Sequence, residues 1–390
     1  MKQKISLKKT VTACVVCFIS AVLITCLVLY LFMGKLAHGF IKLSEIDFLA
    51  RQYFYGEISD EQLENEICRG YISALGDRYA TYLPTTDAKE KFDEFEGKTS
   101  GIGIMLVEHP DTHAIYITSV SKDSPADKAG IKAGDSIIAV EGTAVDEDSY
   151  NECFDSLKGK IGDKIAVTVL RSNDELNLEI TVANFEFQSV YAHAVGDYGY
   201  IRITQFSDNT VEQFERAIDT LVKKNVKGLI FDVTQNGGGT VDSVSAMLDY
   251  LLPEGDIISA EYAGGKSEVL FKSDKAEIDL PMVVITDGRT ASAAELFAAS
   301  IRDYKKGVLI GHTTYGKGVM QTTYKLDDGS SVKFTVAKFF SASKTDFDGK
   351  GLKPDYEIKL TEHEAKYFYL LSDKENPYIK KAVEWLDSQK

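Results

Sequence analysis

Two short segments hold the residues best suited to chemistry. Thr290-Ala291-Ser292-Ala293-Ala294-Glu295 sets a serine among small neighbours, and Tyr315-Gly316-Lys317-Gly318-Val319-Met320-Gln321 sets a lysine between glycines. A serine hydroxyl becomes a nucleophile only when its proton is removed. A lysine can remove it as a neutral amine, which requires desolvation to lower its pKa. Apolar runs precede both segments, Val283-Val284-Ile285 and Val308-Leu309-Ile310. They read as buried strands that would supply that desolvation. Small residues around Ser292 and glycines beside Lys317 allow a backbone or substrate to come close.

A third segment lies upstream. The strand-like run Gly228-Leu229-Ile230-Phe231-Asp232-Val233 ends in Thr234-Gln235-Asn236-Gly237-Gly238-Gly239. Three glycines after a buried strand let backbone N–H groups face a ligand, as an oxyanion hole requires. A tight turn before a helix is the plainer alternative. No Gly-Lys-Ser/Thr follows, which argues against a phosphate loop.

In this order the motifs resemble the carboxy-terminal processing peptidases, or tail-specific proteases, a family of serine–lysine endopeptidases with an embedded PDZ domain. The resemblance runs from Ile46 to Ile358. It includes Gly70-Tyr71-Ile72-Ser73-Ala74-Leu75-Gly76-Asp77-Arg78-Tyr79-Ala80-Thr81-Tyr82-Leu83, Gly101-Ile102-Gly103-Ile104, Gly199-Tyr200-Ile201-Arg202-Ile203 and Gly351-Leu352-Lys353-Pro354-Asp355. It implies Ser292 as nucleophile, Lys317 as general base and Gln321 as the residue that orients the lysine, one turn further on if that stretch is helical. It also implies oxyanion donors at Gly238 and Ala293, and no cofactor. The chain departs from the family pattern at Thr234, Gln235 and Gly237 in the glycine turn, and at Thr290 and Ala294 around the serine. Ser292 is left as the central hydroxyl.

The elements that must position these groups read as an α/β protease core with an inserted β-rich PDZ domain, an N-terminal helical arm and one N-terminal transmembrane helix. Residues 1–10 form a cytoplasmic tail and 11–33 an anchor. Val11–Met33 carries no charge, is long enough to cross a hydrocarbon core of about 30 Å, and follows Lys2, Lys4, Lys8 and Lys9. That flank places the N-terminus in the cytoplasm and the body outside. A cleaved signal peptide is the rival.

Residues 41–97 show helical spacing. In the family such an arm joins two subunits, which implies a homodimer; a plain spacer is the alternative. Residues 98–185 resemble the PDZ domain. Gly101, Ile102, Gly103 and Ile104 would hold a substrate C-terminus, which adds as a strand. Arg171 resembles an arginine that relatives use to sense the bound peptide, with a solvated strand-end arginine as the alternative. Residues 186–360 alternate strands and helices as an α/β core does. Residues 361–390 read as a charged helical tail.

The net charge of −15 argues against a nucleic-acid partner. The six histidines show no HExxH or clustered ligand spacing, so no metal site is expected. Cys68 and Cys153 alone lie outside the apolar span, and a bridge between them stays open. The expected function is a membrane-anchored extracytoplasmic serine endopeptidase that recognises substrate C-termini. Two rivals are a PDZ binding scaffold on an inactive protease fold and a Ser-His-Asp hydrolase using His312. No Gly-x-Ser-x-Gly elbow surrounds Ser292 to support the second.

Overall fold

A computed structural model describes residues 7–33 and 37–389. The chain divides after Cys68 into two compact units. The first is helical. Leu7–Met33 is one continuous helix, and its window Val11–Val28 has a mean hydropathy of 2.7 with no side chain buried. It is long and apolar enough to cross a membrane. The helix Ala37–Tyr53 follows, and Arg51 near its end bridges Asp47 and Asp60. The expected cytoplasmic tail lies largely outside the described residues.

The second unit holds a protease core on a mixed sheet, an antiparallel sheet and a β-rich domain with its own core. The protease core is built on a six-stranded sheet in the order Val190–Val195, Tyr198–Ile203, Leu229–Asp232, Met282–Thr286, Gly307–Gly311, Tyr356–Glu357. All neighbours after the first pair are parallel. The inner strands are buried on both faces, which explains their unbroken apolar runs. One face packs on the helices Thr210–Lys223, Val241–Leu251 and Ala293–Asp303 through Phe214, Phe231 and Phe297. The other packs on the C-terminal helix Pro377–Asp387 through Tyr378, Ile379 and Leu386.

A five-stranded antiparallel sheet stands beside this one. Its long strand Ser331–Phe340 pairs with Thr81–Leu83, Gly255–Tyr262 and Val319–Lys325. The expected wholly helical arm is therefore corrected. Residues 81–83 are a strand, because alternation around the half-exposed Thr81 and buried Tyr82 gives the edge of this sheet a partner. The lysine segment is also not helical. Val319–Lys325 is a strand, so Gln321 does not stand one helical turn after Lys317. The tail is two helices, Glu362–Lys366 and Pro377–Asp387, separated by the 3-10 turn Phe368–Leu370 and a loop.

The β-rich domain has its own core, formed by Ile102, Ile115, Ile137, Val169 and Ile180. Its sheet runs Ile104–Glu108, Ile115–Val120, Ser136–Val140, Lys164–Arg171, Asp174–Thr181. Ile104–Glu108 is thus an edge strand, with one side of its backbone unpaired. Cys153 is a buried free thiol, so no bridge joins it to Cys68.

Candidate active site

The serine and the glycine turn leave adjacent parallel strands at their C-terminal ends, where open α/β sheets place ligands. Met282–Thr286 passes through a turn into the helix Ala293–Asp303, and Ser292 is the residue before that helix. It has φ 60° and ψ −119°. A non-glycine residue held there stores strain of about 1–3 kcal/mol, which persists only where surrounding bonds impose it. Asp287 accepts from the N–H groups of Arg289 and Thr290. Thr290 Oγ1 donates to Val233 O at 2.8 Å, and Ala291 N–H donates to Asn236 O at 2.9 Å. Strand, turn and helix thus form an elbow without flanking glycines. Ala291, Ala293 and Ala294 are small enough to replace them.

Gly238 lies against this elbow with φ 104°, and a Cβ there would sit 2.8 Å from Ala291 O and 2.9 Å from Ser292 Cβ. Only glycine fits. Its N–H donates to Asn236 Oδ1 at 2.8 Å, so this candidate oxyanion donor is occupied in the present arrangement. Ala293 N–H, at the first position of the helix, donates to no described group.

Glu295 joins the serine and lysine segments and is fully buried. Its carboxylate accepts from Ser292 N–H at 2.9 Å, Thr314 Oγ1 at 2.5 Å, Gly316 N–H at 2.8 Å and Lys317 N–H at 2.8 Å. One buried side chain therefore fixes the Ser292 backbone relative to that of Lys317. The sequence reading gave Glu295 no role. Its signal was present, because Ser-x-x-Glu ahead of an apolar run is a capping-box pattern.

Lys317 is half-buried. Its ammonium rests over the Tyr79 ring, 4.8 Å from the centroid. Burial, and then the charge of Lys333, push its pKa down to about 8; Lys91 lowers it further, while Glu295 and Asp77 oppose. The desolvation expected from buried strands comes partly from elsewhere. Tyr79 belongs to the segment before Thr81–Leu83, and Asp77 Oδ2 holds that segment to Thr335 N–H at 2.7 Å.

A cavity of about 700 Å³ brings together Ser292, Lys317, Gln321 and Gly238. Among the described residues no hydrogen bond joins Ser292 Oγ to Lys317 Nζ. Gln321 Nε2 donates to Val319 O and Thr335 Oγ1, each at 3.2 Å, so it braces the strand rather than touching the lysine. His312 stands apart from this cavity, edge-on to Tyr378 with ring centroids 6.0 Å apart. Among the described residues no group of three or more His, Cys, Asp or Glu side chains is placed to hold a metal.

In the β-rich domain the N–H groups of Ile102 and Gly103 donate to no described group, while their carbonyls accept from Ala126 and Ser121 at 2.8 and 2.9 Å. Gly103 has φ 84°, and a Cβ there would meet Ser124 Cβ at 2.3 Å. Gly101, Ile102, Gly103 and Ile104 thus form a loop with two unengaged donors beside a free strand edge. Arg171 lies in neither place. It grips the buried Asp135 with two bonds of 2.7 and 2.8 Å and donates to Gly130 O at 2.7 Å. In this arrangement it braces its own domain.

Comparison with known proteins matches residues 197–358 to the model described as Peptidase family S41 and residues 100–182 to PDZ domain. The carboxy-terminal processing protease CtpA of Bacillus subtilis is 36% identical over 82% of this chain and 69% of its own length. The carboxy-terminal-processing protease of Bartonella bacilliformis is 30% identical, over 78% and 72%. Among solved structures, the photosystem II D1 C-terminal processing protease is 27% identical with a TM-score of 0.50, covering 80% of this chain and 86% of that one. A putative S41 protease from Bacteroides fragilis shares the fold, with a TM-score of 0.61 at 17% identity and coverage of 83% and 90%.

Proposed function

We propose, for a chain that belongs to peptidase family S41 and is a serine peptidase of the carboxy-terminal processing type, that Ser292 and Lys317 act as its catalytic dyad. The observation that carries this reading is the Glu295 clamp, which holds both segments on one buried carboxylate. Ser292 Oγ attacks the scissile carbonyl carbon as its proton passes to Lys317 Nζ. The tetrahedral oxyanion forms beside the N-terminus of Ala293–Asp303, where Ala293 N–H and the helix dipole favour negative charge. Lys317 returns the proton to the departing amine. A water then attacks the acyl-enzyme with Lys317 again as base, which regenerates Ser292. Gly238 N–H becomes the second oxyanion donor once its peptide turns away from Asn236 Oδ1. The present arrangement is therefore a resting one.

The PDZ domain recognises the substrate C-terminus. The loop at Gly101, Ile102, Gly103 and Ile104 takes the carboxylate on its unengaged N–H groups, and the peptide adds to the edge strand Ile104–Glu108. Leu7–Met33 anchors the enzyme with its body outside the cytoplasmic membrane. Exposed Phe40, Ile41, Phe48 and Leu49 leave an apolar face on Ala37–Tyr53 that a second copy covers in a homodimer. Sedimentation that shows only monomer at every concentration tested would remove the dimer from this reading.

The dyad is tested by cleavage of an unfolded protein. Ser292→Ala and Lys317→Ala should each lower turnover about a thousandfold or more, and the double variant should be no worse, since the two groups act as a unit. Substantial cleavage by Lys317→Ala, with loss only in His312→Ala, would transfer the base role to His312.

A further inference from the structure

The catalytic cavity holds a cation that the dyad does not use. Lys333, on the strand Ser331–Phe340, lines the same wall as Lys317 and Gln321 and is half-buried. Lys91 also lines the cavity, but it is paired with Glu94 at 2.6 Å. Lys333 has no carboxylate within ion-pair distance among the described residues. The acidic groups nearest in effect are Glu94 and Asp77, and both are engaged, Glu94 by Lys91 and Asp77 by the Thr335 and Tyr79 N–H groups. A half-buried ammonium without a counter-ion is costly, and burial together with Lys91 depresses its pKa. A substrate that brings its own carboxylate relieves that cost.

We propose that Lys333 is a specificity-determining residue that binds a substrate carboxylate inside the catalytic cavity. This rests on the reading of Ser292 and Lys317 as the dyad. The carboxylate is either an Asp or Glu side chain near the scissile bond or the free C-terminus of a short peptide. The apolar lining of the cavity, with Phe206, Phe271 and Phe339, takes the uncharged neighbours of that residue. Charge pairing at Lys333 also separates it from Lys317. Once its charge is neutralised, it repels the protonated base less.

The test uses the full chain and peptide pairs that differ only in Glu against Gln, or in a free against an amidated C-terminus. Wild type should favour one charged member by about tenfold in kcat/KM, the order of a single charge-assisted contact. In Lys333→Met that ratio should fall to about one, in Lys333→Arg it should persist, and in Lys333→Glu it should invert. The ratio is read on the pH plateau of each variant, so that a shift in the ionisation of Lys317 cancels. A preference that follows Glu identifies a side-chain subsite, and one that follows the free terminus identifies a C-terminal subsite. Equal cleavage of all members by wild type, or an unchanged ratio in Lys333→Met, overturns the proposal while leaving the dyad standing. Undiminished cleavage by Ser292→Ala instead overturns the dyad and the subsite with it.

Discussion

Glu295 in the protease core and Asp135 in the PDZ domain are both buried carboxylates, and they are satisfied by opposite means. Asp135 is held by a guanidinium, Arg171, in a bidentate pair closed by the Lys132 N–H. Charge meets charge, and the pair fixes one loop within one domain. Glu295 has no cationic side chain among its hydrogen-bond partners. It is held by three backbone N–H groups and one hydroxyl, drawn from two segments more than twenty residues apart. Backbone donors swing less freely than a long side chain does. A carboxylate bonded to backbone sets distances between segments, whereas one bonded to arginine sets the shape of a loop.

The sharpest break in that comparison is Glu295→Ala. It leaves four donors without an acceptor, two buried and two partly buried, and should cost about 3–5 kcal/mol of stability. It should also cut turnover by on the order of a hundredfold through misplacement of the two segments. Chemical denaturation and cleavage assays measure both. If Glu295→Ala is as stable and as active as wild type, the carboxylate sets no catalytic distance.

Next in size is the effect of pH. As the proposed base, Lys317 must act as a neutral amine, and burial lowers its pKa to about 8. The neutral fraction rises with pH, so kcat/KM should climb through a midpoint near that value and fall about tenfold per unit below it. A flat profile between pH 6 and 9, a window of roughly three units around that midpoint, would assign the base elsewhere.

Arg171→Ala probes the other carboxylate. Asp135 stays buried without its partner, and the PDZ domain should lose about 1–3 kcal/mol, because Arg171 is itself partly exposed. Short peptides that never engage the PDZ domain should be cut at near wild-type rates. A large loss of short-peptide turnover with unaltered melting would show instead that Arg171 signals to the dyad.

The smallest effect is expected at Asp111, on the tip between Ile104–Glu108 and Ile115–Val120. It accepts from Lys366 Nζ at 2.7 Å and from Tyr367 Oη at 2.8 Å, which ties the PDZ domain to the C-terminal segment. The contact is exposed, so Asp111→Ala should cost no more than about 1 kcal/mol. Faster hydrogen exchange confined to that hairpin would reveal it, and exchange rates identical to wild type would dismiss the tie.

The sequence exposed the parts of the molecule whose physics is local. Buried parallel strands read as apolar runs, Ser292 and Lys317 stood out by their small neighbours, and Gly103 and Gly238 marked turns that admit no side chain. Long-range partners were not legible. Nothing near Lys317 in the chain announces Tyr79 beneath it or Lys333 beside it, because an antiparallel sheet brings them together from distant segments. Gln321 and Arg171 were placed by analogy of position. In this arrangement Gln321 bonds within its own sheet and Arg171 bonds a buried aspartate, partners that their positions in the chain did not announce. Thr290 departs from the family's serine yet keeps the hydroxyl that Val233 O and Asp287 require.

The pairing of Thr81–Leu83 with Ser331–Phe340 sets a schedule. Its two strands lie roughly 250 residues apart, so the contact is among the slowest kind to form and waits for most of the chain to be made. Tyr79 and Asp77 are carried into place by that same pairing. A ribosome-bound chain that has already made Ser292 and Lys317 still lacks the strand that brings Tyr79 beneath the lysine. On the proposed dyad, the amine would stay hydrated and the hydroxyl idle until then. Order of synthesis would thereby delay a nascent protease until this sheet closes.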